Sequence, residues 1–587
     1  MTEVGLRITA ADGRRENRVI RLAAPNADFV LDKERIESSI MAIMPDRHFD
    51  LLDIVAAVFA ADGRVVRGGD TRRALGAGWR RKLHLTVPVA DPEFWRDAGR
   101  YQKLTDCLGF LTEDDWSFSF VRRTGGSATA AFLDLDHSGS SFAADEIILF
   151  SGGLDSLAGA LEVLSRTDRK VVLVTHRSAQ KAIKRQVSLG QKLAEAFPKR
   201  VLHLHVRATN VGEMSRERTQ RSRSFLFAGL GFVVARMFGA KTLSFYENGV
   251  VSHQLPISPQ VIGSMATRTT HPKSLRLLRD LLDVVDPGWG ELRNGFEWLT
   301  KAEVVRTLRG PETVHLIRHS VSCTSLREET TLHRHCGACS QCLDRRFAIL
   351  AEGLDEADPA EGYATDVLFG ALESDQKLTM SLDWARHGWS IAEIKDVDFL
   401  GRFGSDLSRI IDGHPTLDRA EVLRRSLDLQ RRHGRAVRSV IEKMFATRVE
   451  PLLGGTLPDM SLLRRFVGER VVGELMPSKA TTPTRSERGS DLILDAEDGD
   501  RREVRFFLRG QRFGVEVMGL GAIHGRPAEV AHRLLSALEE DRDSGCAPEA
   551  HRYLPPAKIL LISMMPSLIP SSAAGISSLS ITRRSMV

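Results

Sequence analysis

The chain has 587 residues, 42% hydrophobic and 27% charged, with a formal net charge of +6. That length exceeds one ordinary core and predicts three or more domains of globular composition. The small charge permits a local basic patch without demanding nucleic acid. No apolar run reaches the roughly 18 residues of a membrane helix, and Met1-Thr2-Glu3-Val4 opens no leader peptide, so a cytoplasmic protein with no membrane partner is expected.

Residues 1–144 read as an α+β region. Gly5-Leu6-Arg7-Ile8-Thr9 and Asn17-Arg18-Val19-Ile20-Arg21-Leu22 form paired strands about a turn at Asp12-Gly13. Leu51 to Phe59 reads as helix. Trp79, Leu83, Leu85, Val87 and Val89 alternate as a strand, and Phe118, Phe120 and Val121 belong to another. Asp62, Asp70 and Asp106 are read as turn and cap residues.

Residues 145–355 carry the chemistry. Ile147-Ile148-Leu149-Phe150 has the pattern of a buried parallel strand. Ser151-Gly152-Gly153-Leu154-Asp155-Ser156 follows. Then Leu157, Ala158, Ala160, Leu161, Val163 and Leu164 recur at helical spacing. A turn between a strand end and a helix start suits an anion, because free N–H groups and the helix dipole favour negative charge. Gly152 and Gly153 admit a phosphate closely, and Ser151 and Ser156 add hydroxyls. Asp155 alone would repel phosphate; a Mg²⁺ ion shared with phosphate oxygens resolves that.

Val171–Val174, Val201–Val206 and Thr242–Phe245 are further strands, separated by helices over 180–196 and Ser222–Phe238. This alternation predicts an α/β, doubly wound parallel sheet with ligands beyond the strands' carboxyl ends. His176 and Arg177 then become candidates for holding a nucleotide. Arg223 opens a helix against its dipole, a conflict an anion offsets, and is the candidate pyrophosphate clamp. Glu247 and Asn248 are candidates for substrate or magnesium, and Lys301 for phosphate or a carboxylate. Asp155, Arg223 and Lys301 are the candidate catalytic residues.

Four of the six cysteines fall at Cys323-x12-Cys336-x2-Cys339-x2-Cys342. That spacing closes a tetrahedral four-thiolate site, which leaves no open position and makes the expected Zn²⁺ structural. His333 and His335 lie nearby as alternative ligands.

The order of these motifs, with Ser222–Phe227, Glu247-Asn248-Gly249, Thr300-Lys301-Ala302-Glu303-Val304 and Cys336-Gly337-Ala338-Cys339-Ser340-Gln341-Cys342-Leu343-Asp344-Arg345-Arg346, resembles the QueC-like 7-cyano-7-deazaguanine synthases, PP-loop ATP pyrophosphatases. The resemblance implies Mg-ATP at Ser151–Ser156 and activation of a 7-carboxy-7-deazaguanine as an acyl-adenylate, which an amine attacks. The chain departs from that family at Thr175-His176-Arg177-Ser178, at Ser222-Arg223-Ser224 and at Ser252–Ile257. Its long flanks look more like the QueC-like component of Qat-type anti-phage systems, which implies a partner protein as acceptor. Two alternatives stay open: a plain 7-cyano-7-deazaguanine synthase using ammonia, and a catalytically idle nucleotide-binding scaffold of a defence complex. Nucleic acid is not expected as a direct substrate, and a homo-oligomer is allowed.

Residues 356–478 read as helical, with an Arg-rich stretch, Glu421 to Phe445, taken as the solvated face of a packed helix. Residues 479–501 read as a linker. Residues 502–587 read as a small α/β appendage: a hairpin of Val504–Leu508 and Phe513–Val517, a helix Ala528–Glu540, and a Ser-rich end from Pro566 without fixed structure.

Overall fold

This computed structural model describes residues 2–9, 15–22, 27–31, 45–67, 80–124, 142–177, 180–211, 217, 221–257, 268–324 and 332–475, and strands within 491–583. The chain divides into two units, residues 1–475 and 476–587. No helix among the described residues is long and apolar enough to cross a membrane.

Among the described residues, ten strands belong to the first unit: β1 (Thr2–Thr9), β2 (Arg15–Leu22), β3 (Phe29–Leu31), β4 (Lys82–Val89), β5 (Asp115–Arg122), β6 (Glu146–Leu149), β7 (Val171–Arg177), β8 (Val201–Asn210), β9 (Thr242–Phe245) and β10 (Glu291–Asn294). They form one mostly parallel sheet in the order β10-β9-β6-β7-β8-β3-β2-β1-β4-β5. From β10 to β8 every neighbour pair is parallel. Every residue of β6 is buried, as a strand covered on both faces requires. Its alternation divides two cores. Ile147 and Leu149 face Val172, Val174 and the Arg223–Met237 helix. Ile148 and Phe150 face Leu157, Leu161, Val304 and Ile349. The parallel half is thus an α/β sheet wound on both sides.

The amino-terminal strands extend this sheet. β3 pairs antiparallel with β8, Phe29 opposite Asn210 and Leu31 opposite Ala208. The helix expected at Leu51–Phe59 runs from Asp46 to Arg64 and is almost wholly buried. It packs on the Arg223–Met237 helix so closely that a Cβ at Gly229 would lie 2.7 Å from Val55 Cγ2. Asp106 sits mid-helix and accepts from Gln102 at 2.6 Å. Asp12, Gly13, Asp70 and Trp79 lie outside the described residues.

The region from Asp375 to Leu475 is helical, with helices Asp375–Ile391, Asp396–Gly413, Arg419–Thr447, Val449–Leu453 and Leu462–Leu475. In the Arg-rich helix, Arg424 and Arg425 pair with Glu421, Arg432 with Asp428 and Glu303, and Arg438 with Glu442.

The second unit contains a five-stranded sheet. Arg501–Arg509 and Arg512–Val517 form the expected hairpin. Asp491–Ala496, read as linker, is a strand between Arg501–Arg509 and Leu579–Arg583. The latter corrects the expectation of a tail without structure: Leu-Ser-Ile-Thr-Arg supplies alternating apolar and polar residues, with β-branched Ile581 and Thr582, to a sheet edge. The helix expected at Ala528–Glu540 lies outside the described residues.

Candidate functional site

The chain proceeds from β6 outward to β7 and β8, then returns to place β9 and β10 on the other side of β6. That reversal falls between the carboxyl ends of β6 and β9, the place where a crevice forms in such sheets and ligands bind. Both segments singled out from the sequence end there, Ser151–Ser156 after β6 and Glu247-Asn248 after β9.

The loop is fixed by its neighbours. Gly152 has φ +77°, and a Cβ there would lie 3.0 Å from Gln186 Cγ, so glycine answers both conformation and space. Gln186 Nε2 donates to the Ser151 carbonyl at 2.9 Å. Val321 N–H donates to the Gly152 carbonyl at 3.1 Å, and Leu154 N–H to Ser322 Oγ at 3.4 Å. Ser151 Oγ accepts from Gly153 N–H at 3.2 Å and lies 3.1 Å from Ser156 Oγ. Gly153, the N-cap of the helix Leu154–Arg166 that follows, offers it no side chain, and Ser322 meets only its first N–H.

Beside that helix start lies a cluster of charges. Lys301 Nζ stands 2.9 Å from Asp155 Oδ1 and 3.9 Å from Asp344 Oδ2, and is 3% exposed. Asn248 Nδ2 donates to Asp155 Oδ2 at 3.3 Å and to Asp344 Oδ2 at 3.4 Å, while its Oδ1 caps Val251 N–H. Lys301 opens a helix through a Thr300–Glu303 capping box. Burial pulls its ammonium pKa down, but Asp155 and Asp344 outweigh that and hold it above the ordinary lysine value. Burial raises Asp344 to about 6, against the attraction of Lys301. Burial also raises Glu247 to about 7, the Thr270 hydroxyl opposing and Asp155 adding to the rise. Arg223 opens the Arg223–Met237 helix, with its guanidinium 5.0 Å from the Phe227 ring. Its surroundings lower its pKa and Glu247 opposes that fall.

The crevice thus brings together Ser151–Ser156, Asp155, Asn248 and Lys301. His176 is elsewhere in character: its Nε2 is 2.5 Å from the Ala208 carbonyl, its ring meets Phe59 and Phe227 edge-on, and burial lowers it to about 4. Arg177 ends β7, and its side chain lies outside the description. Asp344 and Asp62 carry roles that sequence reasoning missed. Asp344 had a signal, an acid two residues past the last cysteine. Asp62, read as a turn or cap residue, is instead a fully buried helix residue whose Oδ2 accepts from Ser222 N–H at 2.9 Å and Ser222 Oγ at 2.8 Å. It fixes the residue that precedes Arg223, and no local pattern announced a partner 160 positions away.

The four cysteines converge. Their Sγ atoms all lie within 4.8 Å of one another, the only such group of metal-binding side chains among the described residues. Cys323–Cys339, Cys336–Cys342 and Cys339–Cys342 are 4.0, 3.9 and 3.4 Å apart. Thiolates about 2.3 Å from one zinc lie roughly 3.8 Å apart, so the set fits that ion. Ala338 N–H points at Cys336 Sγ at 3.4 Å. Gly337 has φ +79°, and a Cβ there would strike the Thr365 carbonyl at 1.7 Å. His335 stacks on Tyr363 instead.

This knuckle braces the crevice. The helix Ser340–Ala351 starts beside Cys339 and carries Asp344 into the charge cluster. Its next residue, Arg345, is fully buried, pairs with Asp358 at 2.8 Å and donates to Ser320 Oγ at 2.8 Å and Ser322 Oγ at 3.5 Å. Ser322 in turn holds the loop and adjoins Cys323. Comparison of the chain with protein-family models, with curated proteins and with solved structures yields no match.

Proposed function

We propose that the chain is an ATP-dependent ligase that activates a carboxylate, a 7-carboxy-7-deazaguanine in the reading that the QueC-like resemblance favours, for attack by an amine. The observation that carries it is the convergence of Asp155, Asn248, Lys301 and Asp344 beside a helix start with glycine at its N-cap, at the sheet's reversal point. Arrangements of that kind suit a triphosphate: the loop's N–H groups meet phosphate oxygens, and Lys301, kept protonated by two carboxylates, meets the charge that develops on departing pyrophosphate.

The reaction proceeds in two displacements. A substrate carboxylate oxygen attacks the α-phosphorus of ATP, and the bond to pyrophosphate breaks. The amine then attacks the acyl carbon, loses a proton, and AMP leaves. Asp155 and Asp344 are the residues that would hold the Mg²⁺ that ATP brings, since such an ion takes one or two carboxylates plus phosphate oxygens. Arg223, across from Glu247, is the proposed clamp for pyrophosphate.

ATP–pyrophosphate exchange in the presence of 7-carboxy-7-deazaguanine tests the reading. Exchange is expected in the wild type, and Asp155→Ala is expected to lower it by about 10²–10³-fold with the fold retained. Exchange unchanged in Asp155→Ala removes that residue from the chemistry. Absence of exchange with every carboxylate tried removes the ligase assignment.

A further inference from the structure

A second charged surface lies beside the loop. The helix Gln180–Ala196 reaches the loop through Gln186 and the Ser151 carbonyl. Arg185, Ser188 and Lys192 lie on one face of that helix, at spacings of three and four residues. The helix packs against the turn Val314–His319, which carries His315, Arg318 and His319. Arg334 joins them from the cysteine knuckle and donates to the Arg318 carbonyl at 2.6 Å. His319 registers the crowding. Burial lowers its pKa, and the four charges that act on it most, Lys192, Arg334, Arg318 and His315, all lower it further. Arg318 and Arg334 are exposed, Lys192 is half-buried, and none of the three forms an ion pair among the described residues.

Lys192, Arg318 and Arg334, with no counter-ion among the described residues, raise one another's energy and attract an anionic partner. Leu332, two residues from Arg334, is 79% exposed. An apolar side chain at the edge of a basic surface suits a polypeptide that offers carboxylates and an apolar residue together. A nucleic-acid strand would use large aromatic platforms for its bases, and no exposed Phe, Tyr or Trp is among the described residues of this surface.

We infer that this surface docks an acidic segment of a partner polypeptide beside the Ser151–Ser156 loop. That the docked partner also supplies the attacking amine rests on the ligase reading; the docking itself does not.

The full chain, without ATP, is titrated with a short fluorescein-labelled peptide of alternating Glu and Leu, and binding is read by fluorescence anisotropy. Binding is expected to weaken as salt rises, and to fall by about tenfold in both Lys192→Glu and Arg334→Glu, with Mg-ATP affinity unchanged. Both variants binding the peptide within about twofold of wild type would overturn the inference. So would an oligothymidylate that binds more tightly than the peptide and loses affinity in the same variants, which would make this a nucleic-acid surface. Weakened Mg-ATP with unchanged peptide binding would make it a funnel for nucleotide instead. Glu328 and Glu329 lie outside the described residues. If the peptide binds only after both are replaced by Gln, the chain satisfies its own surface and the inference fails. Salt-sensitive peptide binding in a protein that catalyses no exchange would remove the ligase reading and leave the docking surface standing.

Discussion

Two charge clusters reach the start of the Arg223–Met237 helix, and they differ in burial and in balance. In the first, Asp62 and Asp114 face Arg67 and Arg81, all at most 3% exposed. Both oxygens of Asp114 accept, from Arg67 at 2.7 Å and from Arg81 at 2.6 Å. Asp62 completes its set with Ser222, and although burial raises its pKa, the two arginines take it below the ordinary value. Two anions meet two cations in direct ion pairs. In the second, Asp155, Asp344 and Glu247 outnumber Lys301 and Arg223, and two of the three carboxyls are pushed up. A closed cluster holds a shape, whereas an unbalanced one beside an open crevice is poised for a ligand. The first cluster therefore positions the second through Ser222 and Arg223.

The strongest test of that division lies at the knuckle, which serves both fold and crevice. In small zinc peptides the metal supplies about 10–16 kcal/mol of folding free energy. Stripping it with a chelator is expected to unfold the knuckle and to abolish exchange, because Ser322 and Asp344 ride beside the ligands. Metal content, circular dichroism and exchange measured on one sample check this. A metal-free protein that stays folded and active would show the cysteines to be dispensable.

Next in size is Asp114→Ala. It leaves Arg67 and Arg81 buried with one carboxylate between them, and a loss of about 3–5 kcal/mol in urea unfolding is expected. Arg223→Ala is the counterpart. Its guanidinium makes no ion pair among the described residues, so stability should move by less than about 0.5 kcal/mol while exchange falls. If Arg223→Ala proves the more destabilising of the two, the comparison is inverted.

Much of this was legible in advance, for identifiable reasons. The buried run Ile147–Phe150, the glycine turn after it and the cysteine spacing are local signals, set by neighbours in the chain. The helix Gln180–Ala196 and strand Thr242–Phe245 fell where their periodicity put them. What escaped notice depends on distant partners. The joining of β3 to β8 rests on three residue pairs about 180 positions apart. β10, Glu-Leu-Arg-Asn, has no β-branched residue, and only its place beside β9 makes it a strand. Asp62 looked like a turn residue because two of its partners, Arg81 and Ser222, are remote in sequence.

A subtler test uses pH. The folded pKa of Glu247, about 7, lies above the roughly 4.3 of an exposed glutamate. Between those values the folded state binds more protons than the unfolded one. Its contribution to stability is therefore complete below about pH 4.3 and is lost as pH rises through about 7. Glu247→Gln removes that slope. The stability of wild type relative to the variant should fall across this window, and a difference independent of pH would mean that Glu247 is ionised throughout.

The smallest effect is expected where the charges are most numerous. Arg424 pairs with Glu421 three residues away, and its side chain is 69% exposed. Water screens such a pair, and holding two long side chains together offsets most of the attraction. Arg424→Ala should leave the urea midpoint within experimental scatter, despite the six arginines between Arg424 and Arg438. The number of charges on that helix is thus a poor guide to function, because five of those six arginines find carboxylates on the protein itself. Lys192, Arg318 and Arg334 are fewer and have none among the described residues. A measurable loss in Arg424→Ala, or a polyanion that binds wild type and not this variant, would mean that the long helix has a partner of its own.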